Sequence, residues 1–317
     1  MQWNKIVDFK NGLNITGFYL IKSGSVRTST TGKSMYGDYM LYDETGEINA
    51  KLWDVVDAQQ CPEVGGIVKI QGTVTEWQNK LQLRIDRFRD ITEQDEVDVE
   101  LLVPSAPEKA QDMLDEIRSY MLRIEDEEIR NIVEYLLEEH EEKLLIWPAA
   151  VRNHHSMRSG LLYHMINMLR MGEHMAQVYD LNRDLLFSGV ILHDIAKIEE
   201  LDVANTGIAT QYSVPGQLLG HITMGVVAVD RAGVALGINQ EKVMLLQHML
   251  LAHHYEPEFG SPRRPMFPEA EALHFLDILD AHMFDMRKAV QDIPENSFSE
   301  RIFSMHNRQI YHIRQNP

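Results

Sequence analysis

Cysteine is almost missing from this chain: Cys61 stands alone in 317 residues. No internal disulfide and no structural thiolate zinc site can be built from it, and a reducing compartment fits. Also missing is any uninterrupted run of about 18 apolar residues of the kind that spans a bilayer. Met1-Gln2-Trp3-Asn4-Lys5 has none of the features of a signal peptide. A cytoplasmic protein with no membrane partner is expected, and no internal repeat or low-complexity tract points to a solenoid or a disordered chain. Net basic charge is absent too, the total being -18. The deficit is local, however. Residues 1–92 carry 11 Lys/Arg against 11 Asp/Glu, residues 93–142 carry 4 against 18, and residues 143–317 carry 15 against 19. Acidity is thus concentrated in a middle segment that reads as a solvated helical face, and a polyanionic substrate is not excluded.

What is present begins with short β-type runs: Ile15–Ile21, Tyr36–Tyr42, Ile48–Trp53, Ile67–Thr75 and Leu81–Phe88. Asp43-Glu44-Thr45-Gly46 and Gln78-Asn79-Lys80 read as hairpin turns. Five strands in about eighty residues predict a small all-β barrel, and the OB-fold is the commonest such solution that also binds oligonucleotides. Tyr36, Tyr39, Trp53 and Trp77 could offer ring faces to bases, and Lys22, Arg27 and Lys33 could meet phosphates. Strand aromatics that serve only as core, and lysines that only solvate, are the competing reading.

Residues 93–145 read as a linker followed by acidic helices, with Ser105-Ala106-Pro107-Glu108 as a capping-box start. Residues 146–317 read as helix after helix, an all-α bundle broken at Trp147-Pro148, Thr206–Gly216 and Pro257–Pro268. The stretch from Phe298 to Ile313 is weakly amphipathic and reads as a closing helix.

The chemistry lies in that bundle. His193-Asp194 closes an apolar helix, Leu185–Leu192, and Asp277 and Asp280 lie three residues apart inside another. A buried carboxylate needs a compensating cation or strong hydrogen bonds. His164 shares a buried stripe with Leu161, while His221 and His253-His254 complete a set of imidazoles and carboxylates. Such donors suit Mn, Fe, Co, Ni or Zn. Two buried acidic helices argue for one shared cation site; should it hold two ions, a carboxylate can span both whereas each imidazole nitrogen addresses one, so Asp194 is the expected bridge. His164, His193, His221, His253 and His254 are then single-ion ligands, and Asp277 completes the first ion's shell. Asp280 is expected as an orienting group or proton acceptor, and Lys197, Arg263 and Arg264 as phosphate contacts. His154 and His155 are expected as caps, outer contacts or substrate contacts.

These residues resemble the HD superfamily of metal-dependent phosphohydrolases, whose pattern is a histidine, a His-Asp doublet and a later aspartate on separate helices. His164, His193, Asp194 and Asp277 match it in order, and His221, His253 and His254 match the extra ligands of binuclear members. An N-terminal OB-like domain (1–92) followed by an HD domain (146–317) is similar to the YhaM-type 3′→5′ exoribonucleases. Supporting strings are Gly160-Leu161-Leu162, His193-Asp194-Ile195-Ala196-Lys197, Gly216-Gln217-Leu218-Leu219-Gly220-His221 and Phe259-Gly260-Ser261-Pro262. Ala196 stands where the family has glycine, and Tyr163 where it commonly has glutamate, so no acid-base role for that glutamate carries over.

The resemblance implies two divalent ions, manganese first among them, and hydrolysis of single-stranded RNA from its 3′ end to 5′-mononucleotides. Single-stranded DNA as a second substrate and homo-oligomerisation stay open. The competing readings are an HD phosphohydrolase of a small nucleotide or cyclic dinucleotide, and a non-catalytic nucleic-acid-binding protein with a structural metal.

Overall fold

Alternation of apolar and polar residues builds the first unit of this computed structural model, which describes residues 3–28, 34–151, 154–302 and 305–314. Strands β1 (Asn14–Thr28), β2 (Met35–Asp43), β3 (Gly46–Val55), β4 (Ile67–Trp77) and β5 (Lys80–Asp90) form a closed barrel in the order β1-β2-β3-β5-β4. The 15-residue β1 closes it by serving two partners in turn: Asn14–Leu20 pair with β4, and Leu20–Thr28 pair with β2. Only the β3-β5 pairing is parallel; the other four are antiparallel. Both anticipated turns join their hairpins, Asp43 facing Gly46 and Trp77 facing Lys80.

Tyr19, Ile21, Leu41, Ile70, Val74 and Leu83 fill the barrel and are fully buried. Tyr39 belongs to the same core at 2% exposure, so the expectation that its ring faces bases is corrected: in β2 it falls on the inward register. Tyr36 and Trp53 lie outside, with ring centroids 5.2 Å apart and planes at 30°. Trp53 is half exposed and Trp77 two-thirds exposed. Lys22 pairs with Glu47, and Arg27 lies 3.4 Å from Asp38. Lys33 falls outside the described residues.

The compact units divide at Ser105 rather than near residue 92. Residues 1–105 and 203–211 form one, and 106–202 with 212–317 the other. The physical reason is a second apolar cluster in which Leu102, Val103 and Ile208 cover Phe18, Leu20 and Ile67 of the barrel. Arg89 fastens the segment further through two 2.7 Å bonds to Asp95.

The second unit is helical: α2 (Ala110–Met121), α3 (Glu127–Leu144), α4 (Gly160–Tyr179), α5 (Arg183–Leu192), α6 (Lys197–Glu200), α7 (Val214–Leu236), α8 (Gln240–Ala252) and α9 (Pro268–Gln291), with a short α1 (Val99–Leu102) in the barrel unit. A small hairpin of β6 (Leu201–Val203) and β7 (Ala209–Tyr212) interrupts the all-α pattern that the sequence predicts. The helix starts are set by side chains at some ends and not at others. Asp126 caps α3 and Asn182 caps α5, each accepting two backbone N–H groups. The expected capping box is not formed. Helix α2 begins after Lys109 without a side-chain cap, Ser105 donates instead to the Val103 carbonyl, and Glu108 is drawn to Arg170.

Helix α7 has the length and apolarity of a membrane span, with a mean hydropathy of 1.3 over its most apolar window. Its packing on α8 is close: a Cβ at Gly233 would lie 2.5 Å from Val243. The segment after α9 is not the closing helix that its pattern suggested. Its described residues, 292–302 and 305–314, are irregular, held by single bridges between Phe298 and Tyr311 and between Ile302 and Arg308. Pro294 and the left-handed Asn296 and Asn307 stop a helix from forming there.

Candidate metal centre

Helix α5 is apolar beyond its first two residues because that stretch is internal: Leu185 through Leu192 are all buried. It delivers His193 at its C-terminal cap, where the Nδ1–H donates to the Val190 carbonyl at 2.8 Å. Helix α8 repeats the device, its cap residue His253 donating Nδ1–H to Leu250 at 2.7 Å. A carbonyl can only accept, so each Nδ1 carries the proton and each Nε2 offers a lone pair.

Three further histidines are oriented in the same sense. His254 Nδ1 donates to the Phe259 carbonyl at 2.6 Å, His221 Nδ1 to Glu200 at 3.0 Å, and His164 Nδ1 to Asp280 at 2.7 Å. His221 is aimed by a kink in α7 at Gly220, whose φ of 71° and ψ of 155° suit glycine alone. Its backbone N–H also donates to Glu200, at 2.9 Å.

The Nε2 atoms gather in two groups around Asp194. His164, His193 and Asp277 bring ligand atoms within 4.8 Å of one another, as do His221, His253 and His254. Asp194 Oδ2 lies 3.4 Å from His193 Nε2 and 3.9 Å from His164 Nε2. Its Oδ1 lies 3.3 Å from His221 Nε2 and 3.8 Å from His253 Nε2. One carboxylate therefore faces both groups with different oxygens. Asp277 also touches both, at 3.3 Å from His164 and 4.0 Å from His254.

The donor chemistry fits divalent cations. Among the described residues, four buried side-chain polar atoms lack a hydrogen-bond partner, and three of them are Asp194 Oδ1, His221 Nε2 and His253 Nε2. Buried groups of this kind are costly unless something answers them. Nitrogen and oxygen lone pairs converging without thiolates suit a first-row metal.

The electrostatics carry the same message. Burial pushes the Asp194 carboxyl up, but Lys197 and then His193 outweigh it and hold it well below the usual carboxylate range. Lys197 is itself buried against Asp194, and that carboxylate raises its pKa against the effect of burial. Burial holds His253 well below its ordinary value, with His254 adding to the effect. His164 goes the other way. Burial lowers its pKa, yet its bonds to Asp277 and Asp280 win and push it up to about 10. In the metal-free protein a proton on His164 thus answers the surrounding carboxylates.

All seven expected ligands, His164, His193, Asp194, His221, His253, His254 and Asp277, come together, with Lys197 and Asp280 beside them. The loop arginines are different. Arg264 bonds to Glu256 at 2.9 Å and stacks 4.9 Å over Tyr255, so the loop does not present the expected two-arginine clamp. Arg263 is exposed. Glu200 was not anticipated: it is an ordinary acid in Lys-Ile-Glu-Glu, and its partner lies 21 residues away.

The arrangement defines a class: an oligonucleotide-type barrel joined to a helical domain with the ordered His, His-Asp, Asp ligands of metal-dependent phosphohydrolases. The HD domain family model matches residues 161–282, and the OB-fold nucleic acid binding domain model matches residues 21–91. The 3′-5′ exoribonuclease YhaM of Geobacillus sp. (strain WCH70) is 39% identical over 96% of this chain and 94% of its own. That of Bacillus subtilis (strain 168) is 38% identical over 95% of each. The chain belongs to the YhaM family. Among solved structures, the second OB-fold domain of replication protein A from Methanococcus maripaludis is similar at 21% identity and a TM-score of 0.25, over 28% of this chain and 95% of that one.

His164 supplies a pH prediction. A metal must displace its proton, so affinity weakens as pH falls below about 10. Mn²⁺ uptake at pH 8 should release about one proton from His164, read by calorimetry in two buffers of different ionisation enthalpy. Uptake with no proton release would contradict a cationic His164. Without metal the sign reverses for stability: the raised pKa stabilises the fold below the ordinary 6.5, and this is lost as pH rises through about 10.

Proposed function

We propose that this chain is a metal-dependent 3′→5′ exoribonuclease that removes 5′-mononucleotides from single-stranded RNA. The carrying observation is Asp194, whose two oxygens face two separate ligand groups. His164, His193 and Asp277 would hold one ion, His221, His253 and His254 the other, and manganese is the first candidate for both. The curated relatives, named 3′-5′ exoribonucleases along nearly their full length, support the polarity and the substrate.

When bound, such ions polarise phosphoryl oxygens and lower the pKa of attacking water to about 7. The chain's own residues do the rest. Asp194 and Asp277 supply the negative charge, while Glu200 and Asp280 hold His221 and His164 in the tautomer that presents Nε2. Lys197, whose Nζ bonds Asp194 and whose backbone carbonyl accepts from the Trp147 indole N–H at 2.9 Å, would turn its ammonium to a phosphate oxygen. Water adds to the terminal phosphorus, the P–O3′ bond breaks, and the departing 3′ oxygen takes a proton. The last nucleotide leaves carrying its 5′-phosphate.

The barrel is the strand-holding module in this reading. Trp53, half exposed and stacked beside Tyr36, with Lys51 5.5 Å from the Tyr36 ring, offers a stacking face next to a cation. Single-stranded DNA would meet the same features.

The decisive assay offers 5′-labelled single-stranded RNA with Mn²⁺, beside mononucleotides and cyclic dinucleotides. A ladder shortening from the 3′ end is expected, and Asp194→Asn should reduce it by at least about 10²-fold. Small-molecule turnover with intact RNA would contradict the proposal. Trp53→Ala should weaken RNA binding by about 1–3 kcal/mol with little effect on its salt slope, because stacking rather than phosphate contact is lost. Fluorescence anisotropy across salt concentrations reads both, and unchanged affinity would remove Trp53 from the interface.

A further inference from the structure

His155 lies outside the ligand set, yet its ring is fully buried beside it. Its Nε2 meets Asp280 Oδ2 at 2.7 Å. The same oxygen accepts the Nδ1–H of His164, also at 2.7 Å. A carboxylate oxygen only accepts, so both imidazoles donate to one atom. The other nitrogen of His155, Nδ1, is buried without a partner. A residue chosen for packing alone would avoid that penalty.

The backbone has also been bent to place this ring. His155 has a left-handed φ of 53°, a region few residues other than glycine enter, though histidine does so more readily than most. Its carbonyl accepts from Ala149 at 3.1 Å and Met157 at 2.8 Å. A Cβ at Gly160 would fall 2.0 Å from that carbonyl, so the glycine opening α4 is required by the loop that carries His155. The Phe284 ring, centred 4.3 Å away, closes the far side. The backbone at His155 and the start of α4 thus together hold one imidazole against one carboxylate oxygen.

We infer that His155 is a positioning residue for the metal centre: by holding Asp280, it fixes the ring of His164 and therefore the ion that His164, His193 and Asp277 bind. The inference rests on the metal reading above. With two donors on Oδ2, the Asp280 carboxylate is held against rotating away from His164. Without His155 the carboxylate is free to turn, and His164 loses the orientation that aims its Nε2 at the ion. The other group, His221, His253 and His254, is oriented by Glu200 and backbone carbonyls and does not depend on this chain of bonds.

The test is Mn²⁺ binding to the full-length protein without RNA, by calorimetry and by electron paramagnetic resonance, which separates coupled from single ions. Wild type is expected to take up two ions with a coupled signal. His155→Ala should weaken one ion by about 10–100-fold, leave the other unchanged and replace the coupled signal by a mononuclear one. His155→Gln, whose amide reaches the place of Nε2, should recover most of the affinity; His155→Asn, too short, should not. If the alanine variant does not fold, the Gln and Asn variants decide. Unchanged binding in the alanine or asparagine variant would overturn the inference, as would equal weakening of both ions. Wild-type protein that takes up no Mn²⁺ would overturn the metal centre itself, a different failure.

Discussion

Five imidazoles of the helical unit donate their Nδ1–H groups to fixed acceptors, and the centre depends on this. His193 and His253 donate to carbonyls of their own helices, His254 to a neighbouring loop, and His164 and His221 to the carboxylates of Asp280 and Glu200. The consequence is uniform: five Nε2 atoms point inward, four as lone pairs and that of His164 once its proton is displaced. Were any ring to reverse its tautomer, an N–H would point at the cation seat and exclude the ion. The fold supplies the acceptors cheaply where it can, since a helix C-terminus already has unpaired carbonyls. Where no helix end is at hand, it uses a carboxylate from another element.

Around these lone pairs the charges balance only provisionally. Asp194 and Asp277 are ionised in a largely buried place, answered by Lys197 and by the proton on His164. Both answers are replaceable. A proton can leave and an ammonium can turn toward a phosphate, whereas the orphaned Asp194 Oδ1 and the Nε2 atoms of His221 and His253 have no other partner. This is the difference between a buried salt bridge that serves structure and a donor set suited to divalent charge.

Much of this was legible in the sequence, for physical reasons. Strand alternation and two sharp turns gave the five barrel strands, and an acid closing an apolar helix flagged Asp194. The order of His164, His193-Asp194 and Asp277 carried the rest. What stayed hidden were partners remote along the chain. Glu200 meets His221 across a hairpin, and His155 meets Asp280 at a separation of 125 residues. Neither has a local pattern that marks it as buried. Tyr39 was misread because a strand aromatic can face either way until the register is known. The end of the chain was misread because weak amphipathicity outweighed Pro294 and two asparagines suited to left-handed turns. Residues 93–103, polar enough to read as a linker, end in Leu102 and Val103, which cover the barrel.

The central claim is that Asp194 joins two ion sites built from oriented imidazoles. X-ray absorption of the Mn²⁺-loaded protein, with metal content measured on the same sample, tests it most directly. The account predicts two ions per chain, a first shell of nitrogen and oxygen only, and a metal–metal scattering path that disappears in Asp194→Asn. A single ion, or two with no metal–metal path, would contradict it.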